Sequence, residues 1–179
     1  SLRLRQGNFA GAVQSIDELL ASQDHAEEAI IEQAVQTFLT ANETARAAQL
    51  AAKYVPYNFR GARLLSLALS AFRRAGAVYK TKAVEVAKII LTEESSDEMV
   101  AAKAAANLMS SGDAQTVFES LLNRQLSAQP ALMLEFVRSM HMLRHADNEV
   151  DRLLDDLLCL EPTNVRARDL KAQRLLFRG

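Results

Sequence analysis

Turn-forming residues recur along this chain at a nearly constant interval, and the stretches between them carry helical periodicity. The turns that close the first helix of each pair stand at Gly7, Ala41, Ala75, Gly112 and His145, and Gly179 ends the chain at the same phase. The steps are 34, 34, 37, 33 and 34 residues. A fixed period of this length is the signature of stacked helix–turn–helix units, none of which buries its own apolar face alone. Two alternatives fall away on composition. Hydrophobic residues make up 49% and charged residues 24%, which excludes a disordered chain. With only 6 Gly and 3 Pro, the chain lacks the punctuation that an all-β fold requires.

The period predicts helices over 1–6, 9–22, 26–41, 43–55, 58–75, 78–92, 97–111, 114–127, 130–145, 148–160 and 163–178. A residue tolerant of positive φ closes the first helix of each pair. Asn8, Asn42, Asp113 and Asp147 or Asn148 are then placed to accept from the free N–H groups of the following helix. Ser96, with Asp97 and Glu98 behind it, suits a helix start and the positive end of its dipole. Pro56, Pro130 and Pro162 fall between pairs, where proline can open a helix but not continue one.

The segment Arg5-Gln6-Gly7-Asn8-Phe9-Ala10-Gly11-Ala12-Val13, followed by Ile16 and Leu19, resembles the opening of a tetratricopeptide repeat. Leu154, Leu157 and Leu160-Glu161-Pro162-Thr163-Asn164 resemble its close. The interval of about 34 residues is also that family's. The motif match covers the two ends; between them the repeats diverge, the family's Trp is missing throughout, and the third repeat carries about three extra residues near Tyr79 to Lys82. The resemblance implies one all-α domain over 1–179, a right-handed α-solenoid of stacked antiparallel helix pairs with about five repeats. The opening residues read as the tail of a helix already under way, so the chain is expected to be a piece of a longer one, with Leu2, Leu4, Leu175, Leu176 and Phe177 at uncapped ends.

In this family the first helix of each pair lines a concave groove. Projected onto this chain, the lining is Ile31, Val35, Phe38, Leu65, Leu69, Phe72, Arg73, Met99, Ala102, Met109 and Met142, with Glu135 and Arg166 among the polar positions of the same faces. Family grooves that grip a terminal carboxylate use Lys, Arg and Asn, whereas Ile31, Val35, Leu65 and Leu69 stand in those places here. The implied partner is a protein or peptide with an apolar or amphipathic segment, bound without catalysis and without a cofactor or metal. The alternatives are an accessory segment of a larger enzyme or of a secretion or assembly machine, and self-association through the repeat ends.

Charge and local motifs narrow the field. A net charge of −1 and a pI near 6.3 argue against a nucleic-acid coat. The charge is uneven, however. Arg60, Arg63, Arg73, Arg74, Lys80, Lys82 and Lys88 are opposed only by Glu85, while Asp17 to Glu43 holds seven anions and no Lys or Arg. Such blocks steer partners of opposite sign, but no aromatic ladder for base stacking accompanies the basic one. His141 and His145 are one helical turn apart without the glutamate of an HExxH site. The adjacent carboxylates Asp155-Asp156 and Glu93-Glu94 point to different helix faces, so they form no acid–base pair. Cys159, the single cysteine, reads as a buried apolar residue and excludes an internal disulfide. No apolar run reaches the ~18 residues of a membrane span, and direct membrane insertion is not expected.

Overall fold

The computed structural model describes residues 11, 14–16, 18, 27–55, 61–93 and 97–176. The helix expected over 1–6, most of the 9–22 helix with its Gly7-to-Val13 motif, and Leu2, Leu4, Asn8, Pro56, Ser96 and Phe177 lie outside them. The described residues are all-helical and repeat-like, with no strand among them. From Glu27 onward the elements are α1 (Glu28–Thr40), α2 (Thr44–Tyr54), α3 (Ala62–Ala75), α4 (Lys80–Thr92), α5 (Glu98–Ser110), α6 (Ala114–Leu121), α7 (Pro130–Met142), α8 (Asp147–Leu160) and α9 (Val165–Leu176). Short 3-10 turns occupy Ala77–Tyr79 and Leu126–Ala128.

Three of the turns share one construction. Asn42, Gly112 and Arg144 adopt φ of 62°, 86° and 56°. Their N–H groups donate to Leu39, Met109 and His141 at 3.2, 3.1 and 3.2 Å. The next N–H groups, of Glu43, Asp113 and His145, donate to Phe38, Leu108 and Met140 at 2.8, 3.0 and 3.0 Å. This is the Schellman motif, which satisfies the last carbonyls of a helix and turns the chain sharply. Asn42 is therefore the left-handed residue that ends α1, and its side chain does not cap α2. Asp147 and Asn148 likewise make no cap; the α8 cap residue is Ala146. Asp97 caps α5 by accepting from Met99 and Val100. Asp113 caps α6 through Thr116, Asn164 caps α9 through Ala167, and Pro130 opens α7.

The contacts divide the chain into two compact units, Ser1–Val86 and Ala87–Gly179. In the first, α1, α2 and α3 pack against one another. The face of α2 that enters this core is Ala47, Ala48 and Ala51, each fully buried. Methyl-sized side chains let α2 approach the larger Ile31, Val35, Leu65 and Leu69 of its neighbours closely. In the second unit α5, α6 and α7 pack mutually, α8 packs on α7, and α9 packs on α8. Leu108, Val117, Leu132, Val137, Leu154 and Leu157 form its interior, all with no exposed surface.

One device recurs in both units. The Glu28 carboxylate, in the first turn of α1, accepts from the N–H of Gly61 at the start of α3 at 2.7 Å. Glu98, in the first turn of α5, accepts from the N–H of Ala131 at the start of α7 at 2.8 Å. Each bond links residues 33 apart. A carboxylate at the head of one helix thus satisfies an orphan donor at the head of the next helix but one. A Cβ at Gly61 would lie 2.1 Å from Glu28 Oε1, so the carboxylate would have to swing aside and give up this bond.

α6 ends at Leu121, short of the helix expected to run to 127. Just beyond it, the Arg124 guanidinium donates to the carbonyls of Leu91 and Glu93 at the end of α4.

Candidate functional site

The residues expected to line a groove divide into two sets. Ile31, Val35, Phe38, Leu65, Leu69 and Phe72 are buried, none more than 3% exposed, and Ala102 and Met109 are also buried. They are packing residues with no surface to offer a partner, which corrects the groove lining read from the sequence. Ile31, Val35, Leu65 and Leu69 are covered by the packing of α1, α2 and α3, and the two aromatic rings have further cover. The Arg46 guanidinium lies 4.7 Å over the Phe38 ring, and Tyr79 stacks on Phe72 at 5.6 Å. Arg73, Met99 and Met142 are exposed, Met99 at 54% and Met142 at 53%.

Accessible apolar surface collects elsewhere, in the second unit, where the end of α6, the Leu126–Ala128 turn, α7 and α8 enclose a cleft of about 540 Å³. Met133 and Phe136 of α7 form its floor, and Leu153 of α8 lines it. Leu122 and Leu160, 53% and 51% exposed, stand at its surface. Arg124 and Asp156 add one charge of each sign. Cys159 lines the same cleft and is exposed, which corrects its expected burial. Ring stacking and hydrogen bonding flank the cleft. Phe118 stacks on Phe136 at 5.5 Å, and His145 stacks on Phe118 at 4.3 Å. Arg124 is tied to the end of α4. Sequence reasoning missed this site because Leu122 and Leu126 read as part of one continuous helix to 127. The early stop of α6 is what turns them toward α8. A second hollow of about 480 Å³, beside Thr92, Glu119, Asn123 and Gln129, has a mainly polar lining.

Two polar clusters brace the second unit. Arg174 of α9 is 5% exposed. Its Nε donates to Asp151 at 2.7 Å, and its Nη2 donates to the side chain and carbonyl of Asp147 at 2.8 and 3.0 Å. Its Nη1 lies 2.9 Å from His141 Nδ1, an arrangement in which the ring accepts and carries its own proton on Nε2. Burial works against the Arg174 charge, but the bonds to Asp151 and Asp147 outweigh it and hold its pKa above the usual value. His141 and His145 are thus engaged separately, one with Arg174 and one with Phe118. The second cluster is Glu135, 3% exposed, which accepts two bonds from Arg138 Nη1 at 2.9 and 2.7 Å. Burial pushes its carboxyl above the ordinary value, against the pull of Arg138 and the more distant Arg166.

Comparisons of the chain with family models, curated proteins and solved structures return no match.

Proposed function

We propose that the chain is a non-catalytic protein-interaction scaffold, and that an apolar or amphipathic segment of a partner protein docks in the α6–α8 cleft. The cleft carries this reading: it joins an apolar floor to half-exposed leucines and opposite charges at one accessible place. That is the composition of a small recognition site, in which apolar area supplies affinity and a few polar groups fix orientation. Its capacity suits a few side chains of one helical face.

We further propose that the helices build a right-handed solenoid of antiparallel pairs of the tetratricopeptide kind. Three Schellman turns, the paired Glu28 and Glu98 caps 33 residues from their donors, and the packing of α1 on α3 and α5 on α7 support that reading. Binding moves from the first-helix face expected of the family to the cleft between a helix pair and its successor.

The test uses amphipathic peptides selected from a displayed library on the whole chain. Methyl NMR during titration is expected to perturb Leu122, Leu126, Leu153 and Leu160 first and most. Shifts confined to Met99 and Met142 would move the binding site to the first-helix faces and defeat the cleft assignment.

A further inference from the structure

The turn between α3 and α4 holds a cationic surface that the protein-binding reading does not use. Arg73 and Arg74 end α3, Gly76 turns the chain at φ 92°, and Lys80 and Lys82 open α4. Arg73, Arg74 and Lys80 are exposed, and among the described residues their side chains enter no ion pair or hydrogen bond. Among the described residues several other cations are engaged in ion pairs: Arg63 with Glu32, Lys88 with Asp113, Arg138 with Glu135 and Lys171 with Asp155.

Two further observations separate this surface from an ordinary solvated face. The first is electrostatic. Lys80 and Lys82 lie in the first turn of α4, at the positive end of its dipole, where acidic residues are favoured, and no acidic residue stands in that turn. Lys80 therefore faces the positive helix end uncompensated by any first-turn carboxylate, which an anionic partner would relieve. The second is apolar. Val78, between the two pairs, is 88% exposed, the most exposed large hydrophobic residue described. Its neighbour Tyr79 is held against Phe72 by ring stacking, which fixes the turn while Val78 stays in solvent.

We infer that this turn docks the protein on an anionic lipid surface, with Val78 at the interface and Arg73, Arg74 and Lys80 against the headgroups. The shape favours a lipid surface over an acidic peptide: the cations flank a protruding apolar residue, and neither hollow described above is lined by them. It favours a lipid surface over nucleic acid because the aromatic ring at hand, Tyr79, is committed to Phe72. The attachment is peripheral and reversible; among the described residues no helix is long and apolar enough to cross a membrane.

Co-sedimentation of the whole chain with vesicles tests this. Binding is expected to vesicles of phosphatidylcholine with about one-third phosphatidylserine, not to phosphatidylcholine alone, and to vanish as NaCl rises from about 0.1 M to about 0.5 M. Each basic side chain at such a surface strengthens binding by roughly fivefold. The triple variant Arg73→Glu, Arg74→Glu, Lys80→Glu should therefore lose binding by more than ~50-fold with an unchanged circular dichroism spectrum. Val78→Asp should weaken it and leave the salt dependence in place. Equal sedimentation with both vesicle types, or full retention by the triple variant, overturns the inference. So does binding to soluble polyglutamate in the absence of binding to anionic vesicles. None of these residues lines the α6–α8 cleft, so peptide binding by the same variants is expected to be intact. The two proposals fail independently.

Discussion

At the scale of single residues, the chain's local choices are dominated by hydrogen-bond satisfaction at helix ends. Gly61 shows it most sharply. Its N–H is held by Glu28, and a Cβ there would occupy the carboxylate's position. Gly61→Ala is expected to cost about 1 kcal/mol by displacing that charge-assisted bond. Glu28→Gln, which keeps an acceptor in place, should cost less. Thermal unfolding of the two variants decides the point, and an unchanged Tm for Gly61→Ala would remove the bond from the account. Glu135 gives a prediction in pH. Its folded pKa stands above 4.5 and its unfolded pKa near 4.5. Its contribution to stability is therefore fully present below 4.5 and is lost as pH rises through the folded value. Glu135→Gln removes that penalty. The Tm of the variant minus that of the parent should be larger at pH 7 than near pH 4.5. A difference that grows on acidification would mean that Arg138 outweighs burial.

At the scale of elements, α9 depends on one side chain. Its apolar anchor is small: Ala167 is buried, whereas Val165, Leu175 and Leu176 are exposed. Arg174 supplies the rest through Asp151, Asp147 and His141. Asp147 is largely in solvent and is rehydrated easily when its partner is removed, so Arg174→Ala is expected to cost about 2 kcal/mol, less than a fully buried pair would. Arg174→Lys should recover little, because an ammonium cannot reproduce the forked donors. Hydrogen exchange should show the loss confined to α9 and the first turn of α8. Loss of protection spread through α5–α7 would contradict so local a role.

Much of this layout is legible in the sequence. The turns at Ala41–Asn42, Ala75–Gly76, Gly112 and His145 fall within a residue or so of the observed breaks, because Gly, Asn and Asp mark positions where a helix must stop. The end of α6 is not legible, since Leu121-Leu122 continues an apolar periodicity and no Gly or Pro marks the stop. Face assignment fails for a related reason. Periodicity shows that Phe38 and Phe72 are apolar, but not that Arg46 and Tyr79 will cover them. The candidate cleft was invisible for both reasons at once: it exists only where α6 stops early and α8 lies beside the released leucines.

At the scale of the whole molecule, the apolar cleft of the second unit is the proposed site for a protein segment, and the cationic turn of the first is the proposed contact with an anionic surface. The protein-binding claim is the central one, and it rests on Leu122 and Leu160, whose exposure means that both can change without a cavity forming in the core. Burying a leucine side chain in an interface contributes on the order of 1.5–3 kcal/mol, so loss of one already exceeds a tenfold change in affinity. The direct measurement is calorimetric titration of a selected amphipathic peptide into the parent chain and into the Leu122→Asp, Leu160→Asp variant, with unfolding curves to establish that both are folded. The account predicts at least a tenfold rise in Kd for the folded variant. An unchanged Kd in that variant would contradict it.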